Sequence, residues 1–146
     1  MNSRTSPQIW YSGEILNVGV TGVFSGVLNA QGITPFPTRG WFYSLRVIQL
    51  EGNSNFVTEA SLGILTQNGQ VWTKIQDIIG TPPGLLQGTP QQISLPAAGS
   101  GEYANFGFTV PLYWQVADPD ELRIFIKTDD GLNNTKVQLE TTGGAA

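Results

Sequence analysis

"LRIFIKTDDGLNNTKVQLET", residues 122–141, is the stretch on which the reading of this chain turns. Before the acidic cluster, Leu122, Ile124 and Ile126 alternate with Arg123, Phe125 and Lys127. After it, Val137 and Leu139 alternate with Lys136, Gln138 and Glu140. Residues two apart share one face of a strand, so 121–127 and 135–141 each read as half-buried β-structure. Between them, Asp129-Asp130-Gly131-Leu132-Asn133-Asn134 admits two readings, a calcium loop or a turn. A twelve-residue calcium loop wants Asp, Asp/Asn and Asp/Asn at positions one, three and five, glycine at six and glutamate at twelve. Counted from Asp129, position three is Gly131, position six is Asn134, and Glu140 falls on a strand. The other acidic corner, Asp118, Asp120 and Glu121, lies at the far end of the 121–127 strand, too distant to share an ion. The expectation is therefore an antiparallel hairpin over 121–140, its loop at 129–134, with Asp and Asn bonding their own backbone and no metal.

The same period of two recurs outward from this stretch. "SLGILTQNGQVWTKI" (61–75) reads as two strands around Asn68-Gly69, residues that accept the positive φ of a tight hairpin turn. Further strands are expected at 14–21, 91–95 and 105–112, the last with Phe106, Phe108, Val110 and Leu112 on one side. The 41–51 run is apolar on both faces and is placed centrally in a sheet, with Trp41 in the core. Gly- and Pro-rich connections at 25–40, 80–90 and 96–104 are long enough to cross between sheets. No window supports an amphipathic helix. About eight strands with such crossovers predict an all-β, antiparallel two-sheet sandwich, jelly-roll-like rather than immunoglobulin-like. Residues 1–12 are expected to form an N-terminal arm, 13–141 a single sandwich domain, and 142–146 a flexible tail.

Composition narrows the function classes. The chain has 146 residues, a size that suits one domain. Only 12% are charged, about half the usual share, so Thr, Ser, Asn and Gln must supply the polar surface. A net charge of −4, with the seven basic residues scattered from Arg4 to Lys136, argues against nucleic acid as a partner. Without cysteine there is no disulfide framework or thiolate chemistry. The start "MNSRTSPQIWYSGE" lacks the apolar core of a signal peptide, and no stretch approaches a transmembrane span, so no membrane is expected as a partner.

Without histidine the chain lacks the commonest general base and metal ligand. What remains is a carboxylate pair of the glycosidase type, for which Glu14, Glu51, Glu59 and Glu102 are the candidates. Glu51 and Glu59 flank a polar turn and Glu102 sits in a Gly/Ser loop, so no enzyme, cofactor or metal site is expected. The aromatic residues are more informative. If Val71, Thr73 and Ile75 face the core, Trp72 and Lys74 face outward, and an exposed ring can stack on a sugar or fill a protein pocket. Trp10 and Tyr11 in the arm, with Val27, Leu28, Ile33 and Phe36 in the 25–40 connection, add apolar side chains that one sandwich does not need to cover.

The start "MNSRTSPQIWYSG", polar strands such as "TQNGQVWT", the sparse charges and the ending "TTGGAA" give the chain a composition that resembles accessory proteins of bacteriophage particles. The likeness is to jelly-roll capsid cement or decoration proteins. It implies a small β domain in the virion, made in the host cytoplasm. Such a domain would assemble by symmetry on the major capsid protein or another virion protein, as a homo-oligomer and without chemistry of its own. Trp10, Tyr11, Val27, Leu28, Ile33, Phe36 and Trp72 are the candidate partner-binding residues. The competing expectation is a carbohydrate-binding or receptor-binding sandwich, with Trp72, Trp114 or Tyr113 as stacking platforms for a glycan.

Overall fold

The computed structural model describes residues 8–10, 15–25, 29–30, 34–35, 38–66, 71–79, 92–116 and 122–145. Its strands are β1 (Gln8–Trp10), β2 (Ile15–Val18), β3 (Val23–Phe24), β4 (Asn29–Ala30), β5 (Thr34–Pro35), β6 (Arg39–Glu51), β7 (Phe56–Thr66), β8 (Val71–Ile79), β9 (Ile93–Ser94), β10 (Ala104–Gln115), β11 (Leu122–Thr128) and β12 (Thr135–Ala145). Among the described residues they form two five-stranded sheets and a two-stranded ribbon of β4 and β5. Every pairing is antiparallel.

The first sheet runs β1-β12-β6-β10, with β2 also on β12. The second runs β3-β11-β7-β8, with β9 also on β7. β7 and β8 are neighbours in one sheet, whereas β2 to β3, β6 to β7, β9 to β10 and β11 to β12 each pass from one sheet to the other at the same end of the sandwich. Eight strands ordered β2-β12-β6-β10 against β3-β11-β7-β8 are a jelly roll. The central placement of 41–51 holds, because β6 lies between β12 and β10. β7 and β8 pair from Thr66↔Val71 onward, as the 61–75 pattern requires. The Asn68-Gly69 turn lies outside the described residues.

Alternation fills the space between the sheets. Leu122, Ile124 and Ile126 of β11 and Val137 and Leu139 of β12 are fully buried, together with Val47, Val57 and Leu62. Each such side chain stabilises the fold by about 1.5–3 kcal/mol relative to exposure. Trp114 closes part of this core, its ring centroid 4.8 Å from that of Phe42. Ala104, Phe106 and Trp114 of β10, and Val116 just after it, keep one parity and are all buried. The ladder to β6 shifts register between Gly107 and Leu112.

Three expectations are corrected. Residues 121–140 do not form a hairpin: β11 pairs with β3 and β7, β12 with β1, β2 and β6, and 129–134 is an arch joining the two sheets. Period-two alternation is the same in both cases, since either arrangement turns Leu122 and Val137 inward. Packed sheets lie about 10 Å apart, a gap that six residues span and a two-residue turn does not. The tail is not free either. Thr142, Gly143 and Gly144 continue β12, opposite Ser44, Phe42 and Trp41 of β6. Backbone hydrogen bonding needs no apolar periodicity, and that signal is what the tail lacks. Lastly, Trp41 is only half-buried, because Phe42 takes the inward position and adjacent residues cannot share a face.

Candidate functional site

The acidic loop builds structure. Asp130 accepts hydrogen bonds from the backbone N–H of Leu132 (2.9 Å) and Asn134 (3.0 Å) and from the Thr135 hydroxyl (2.8 Å). Those three donors, the Leu132 amide foremost, hold its carboxyl below the usual aspartate pKa. Asp129 Oδ1 accepts from the N–H groups of Asn55 (2.8 Å) and Phe56 (3.2 Å), fastening this arch to the one at 52–55. Asn133, in the left-handed region at φ 53°, accepts at Oδ1 from the Thr21 N–H (3.0 Å) and so ties in the β2–β3 crossing.

Beneath the loop, Ser54 Oγ lies 2.7 Å from Thr135 Oγ1 and 2.9 Å from Thr128 Oγ1, all three residues buried. A hydroxyl has one proton to donate. Thr135 gives its proton to Asp130, so Ser54 must donate to Thr135 and Thr128 to Ser54. The chain of hydroxyls therefore ends on the Asp130 carboxylate. Gln49, at a core position of β6, exchanges bonds with the Ser54 backbone (2.9 and 3.1 Å) and donates to the Pro96 carbonyl (3.0 Å). Buried polar groups need such partners, and these hold three crossings together.

Four further acids among the described residues are also engaged. Glu140 pairs with Arg46 (3.1 Å), Glu59 with Lys127 (3.2 Å), Glu51 with Lys136 (3.3 Å) and Asp77 with Lys74 (2.9 Å). Each is an exposed or half-exposed pair worth about 0–1 kcal/mol. Glu51 and Glu59, weighed above as glycosidase-type acids, thus each face a lysine.

Aromatic side chains mark the outer faces of both sheets. On the β3-β11-β7-β8 sheet, Phe24, Trp72 and Phe125 form a cluster, with centroids 4.9 Å (Phe24–Trp72), 5.0 Å (Phe24–Phe125) and 6.2 Å (Trp72–Phe125) apart. Lys127 Nζ stands 5.7 Å from the Phe125 centroid. The indole lies over Gly63, where an added Cβ would come within 2.7 Å of the ring. A glycine there is what lets a large ring lie down on the sheet. On the other sheet, Trp41 and Tyr113 are direct cross-strand partners with centroids 5.6 Å apart. Nearby on that sheet, Arg46 stacks over Tyr103 at 4.5 Å.

Of the candidate residues, Trp72 is on an outer face as expected, half-buried within its cluster. Trp10 belongs to β1, its backbone opposite Thr141 of β12. Tyr11, Val27, Leu28, Ile33 and Phe36 lie outside the described residues. Trp114 cannot stack on a ligand, because it is fully buried, whereas its neighbour Tyr113 is 46% exposed. Sequence reasoning missed Phe24 and Phe125 as partners of Trp72. The signal was present for Phe125, an apolar residue between Arg123 and Lys127 on the polar side of its strand. Comparison of the chain with protein-family models, curated proteins and solved structures gives no match.

Proposed function

We propose that this chain is a non-enzymatic structural protein of a bacteriophage particle, a cement or decoration protein that binds the capsid shell and reinforces it. The observation that carries this reading is the docking of Gln8–Trp10 as an added strand on β12, opposite Thr141–Gly143. A short segment that binds a sheet edge through its main chain is a ready means of linking neighbours, within one chain or between copies. The jelly roll is a frequent scaffold for shell subunits, and here Asp129 and Asp130 serve as backbone acceptors while Glu51, Glu59, Asp77 and Glu140 sit in ion pairs. Affinity in such an assembly comes from multiplicity, each modest contact raising the effective concentration for the next.

The test adds purified protein to purified particles that lack it. Saturable, stoichiometric decoration is expected from the whole chain. A chain lacking residues 1–12 should remain folded and soluble but fail to join. Absence of decoration by the whole chain would overturn the reading.

The Phe24–Trp72–Phe125 cluster favours a second reading, a carbohydrate-binding or receptor-binding module, since aromatic rings on a sheet face can stack on sugars. Glycan binding abolished by Trp72→Ala, with no decoration of particles, would decide for it.

A further inference from the structure

Arg123 lies on the same outer face as the aromatic cluster. It pairs in register with Gly63, the residue over which Trp72 lies, and sits two positions before Phe125 on β11. Its Nη1 donates to the Ser25 carbonyl (3.0 Å). Its Nε is buried and, among the described residues, has no hydrogen-bond partner. An unsatisfied buried N–H is uncommon enough in folded proteins to call for an explanation. The face around it is cationic on balance. Lys74, Arg123 and Lys127 stand against Asp77 and Glu59 among its described residues, a net of +1 in a chain whose total is −4. The outer face of the other sheet is cationic on balance as well, where Arg39, Arg46 and Lys136 stand against Glu51 and Glu140.

From these observations we infer that the outer face of the β3-β11-β7-β8 sheet binds an acidic polysaccharide. A sugar ring would stack on the Trp72 edge of the cluster, and its carboxylate would lie toward Arg123. The inference rests on the carbohydrate reading above and gives it a substrate class. The two halves of the site suit the two halves of a uronic acid residue. Apolar C–H faces of a pyranose need an aromatic surface, and a carboxylate needs the planar donor set of a guanidinium. An acidic peptide would use the guanidinium and the lysines, but it would leave three clustered rings without a purpose. Lys127, close to the Phe125 ring and shared with Glu59, adds attraction without fixing geometry.

The test measures binding of the full chain to polygalacturonate, to carboxyl-reduced polygalacturonate and to polyglutamate, by calorimetry at low and moderate salt. The inference expects binding to polygalacturonate that is at least tenfold tighter than to the reduced polymer and weakens as salt rises. Trp72→Ala should weaken it at least tenfold while the circular dichroism spectrum stays unchanged. Arg123→Gln should remove the preference for the acidic polymer. Because Arg123 also holds the Ser25 carbonyl, Lys74→Gln serves as a second variant and should lower affinity for the acidic polymer alone, by a few fold. Equal binding to the acidic and reduced polymers would overturn the acidic assignment but leave the carbohydrate reading standing. Tighter binding to polyglutamate would overturn both, and binding to no polymer would overturn the acidic-polysaccharide assignment.

Discussion

The arch end of the sandwich and the outer face around Trp72 reverse what their residue types suggest. At the arch end, Asp129, Asp130, Asn133, Ser54 and Gln49 have the look of a chemical site, yet their polar atoms are occupied by backbone and neighbouring hydroxyls. On the outer face, Phe24, Trp72 and Phe125 have the look of core residues, yet they sit on the far side of their sheet from Leu62, Ile124 and Ile126. A polar group with all its partners inside the chain has little left to offer a ligand. An aromatic ring outside the core still has a face to offer. The comparison assigns fold stability to the polar end and recognition to the apolar patch.

The largest effect expected on stability is at the arch end. Gly52 has φ 113°, and a Cβ there would stand 2.6 Å from Thr135 Oγ1, the middle of the hydroxyl chain. Gly52→Val should cost about 3 kcal/mol in a denaturant melt, from backbone strain and the displaced arch together. A cost near zero would mean that the two arches are not held as described.

Asp130→Asn comes next and carries a pH signature. The folded protein holds the Asp130 carboxyl below its ordinary value, so its contribution is fully present above the unfolded-state pKa. That contribution is lost as pH falls through the lower folded-state value. The variant should therefore melt below the parent at pH 7, and the gap should narrow as pH falls below the ordinary aspartate range and the carboxyl begins to protonate in the folded state too. A gap that persists unchanged at low pH would show that the carboxylate is not the anchor of the chain.

Trp72→Ala should have the smallest effect on stability, about 1 kcal/mol from lost ring contacts, despite removing the largest side chain of the three substitutions. A loss as large as that of Gly52→Val would make Trp72 part of the fold and blur the contrast between the two regions.

Much of the fold was legible in the sequence because alternation reports directly which side of a strand is buried. Leu122, Ile124, Ile126, Val137 and Leu139 are all inward, as their spacing requires. Alternation does not report which strand lies alongside, so the arch at 129–134 reads the same as a hairpin. Where both faces are apolar, as in "WFYSLRVIQL", the pattern cannot choose between Trp41 and Phe42 for the core. Trp114 and Tyr113 were separable in principle, since neighbours on a strand point opposite ways and Trp114 shares the parity of Ala104 and Phe106. The site was less legible. Trp72 could be placed outward by its parity against Ile75, although Val71 and Thr73 of that parity are themselves exposed, and Phe24 reaches it only because a distant two-residue strand pairs with β11.

The jelly-roll order depends most on 129–134 being an arch between sheets. Nuclear Overhauser contacts between strand protons in labelled protein test this directly. The jelly-roll order requires cross-strand contacts between Ile124 and Leu62 and between Leu139 and Val47, the registers of β11 with β7 and of β12 with β6. Backbone contacts between Ile126 and Val137, or between Ile124 and Leu139, would place β11 and β12 side by side as a hairpin and contradict it.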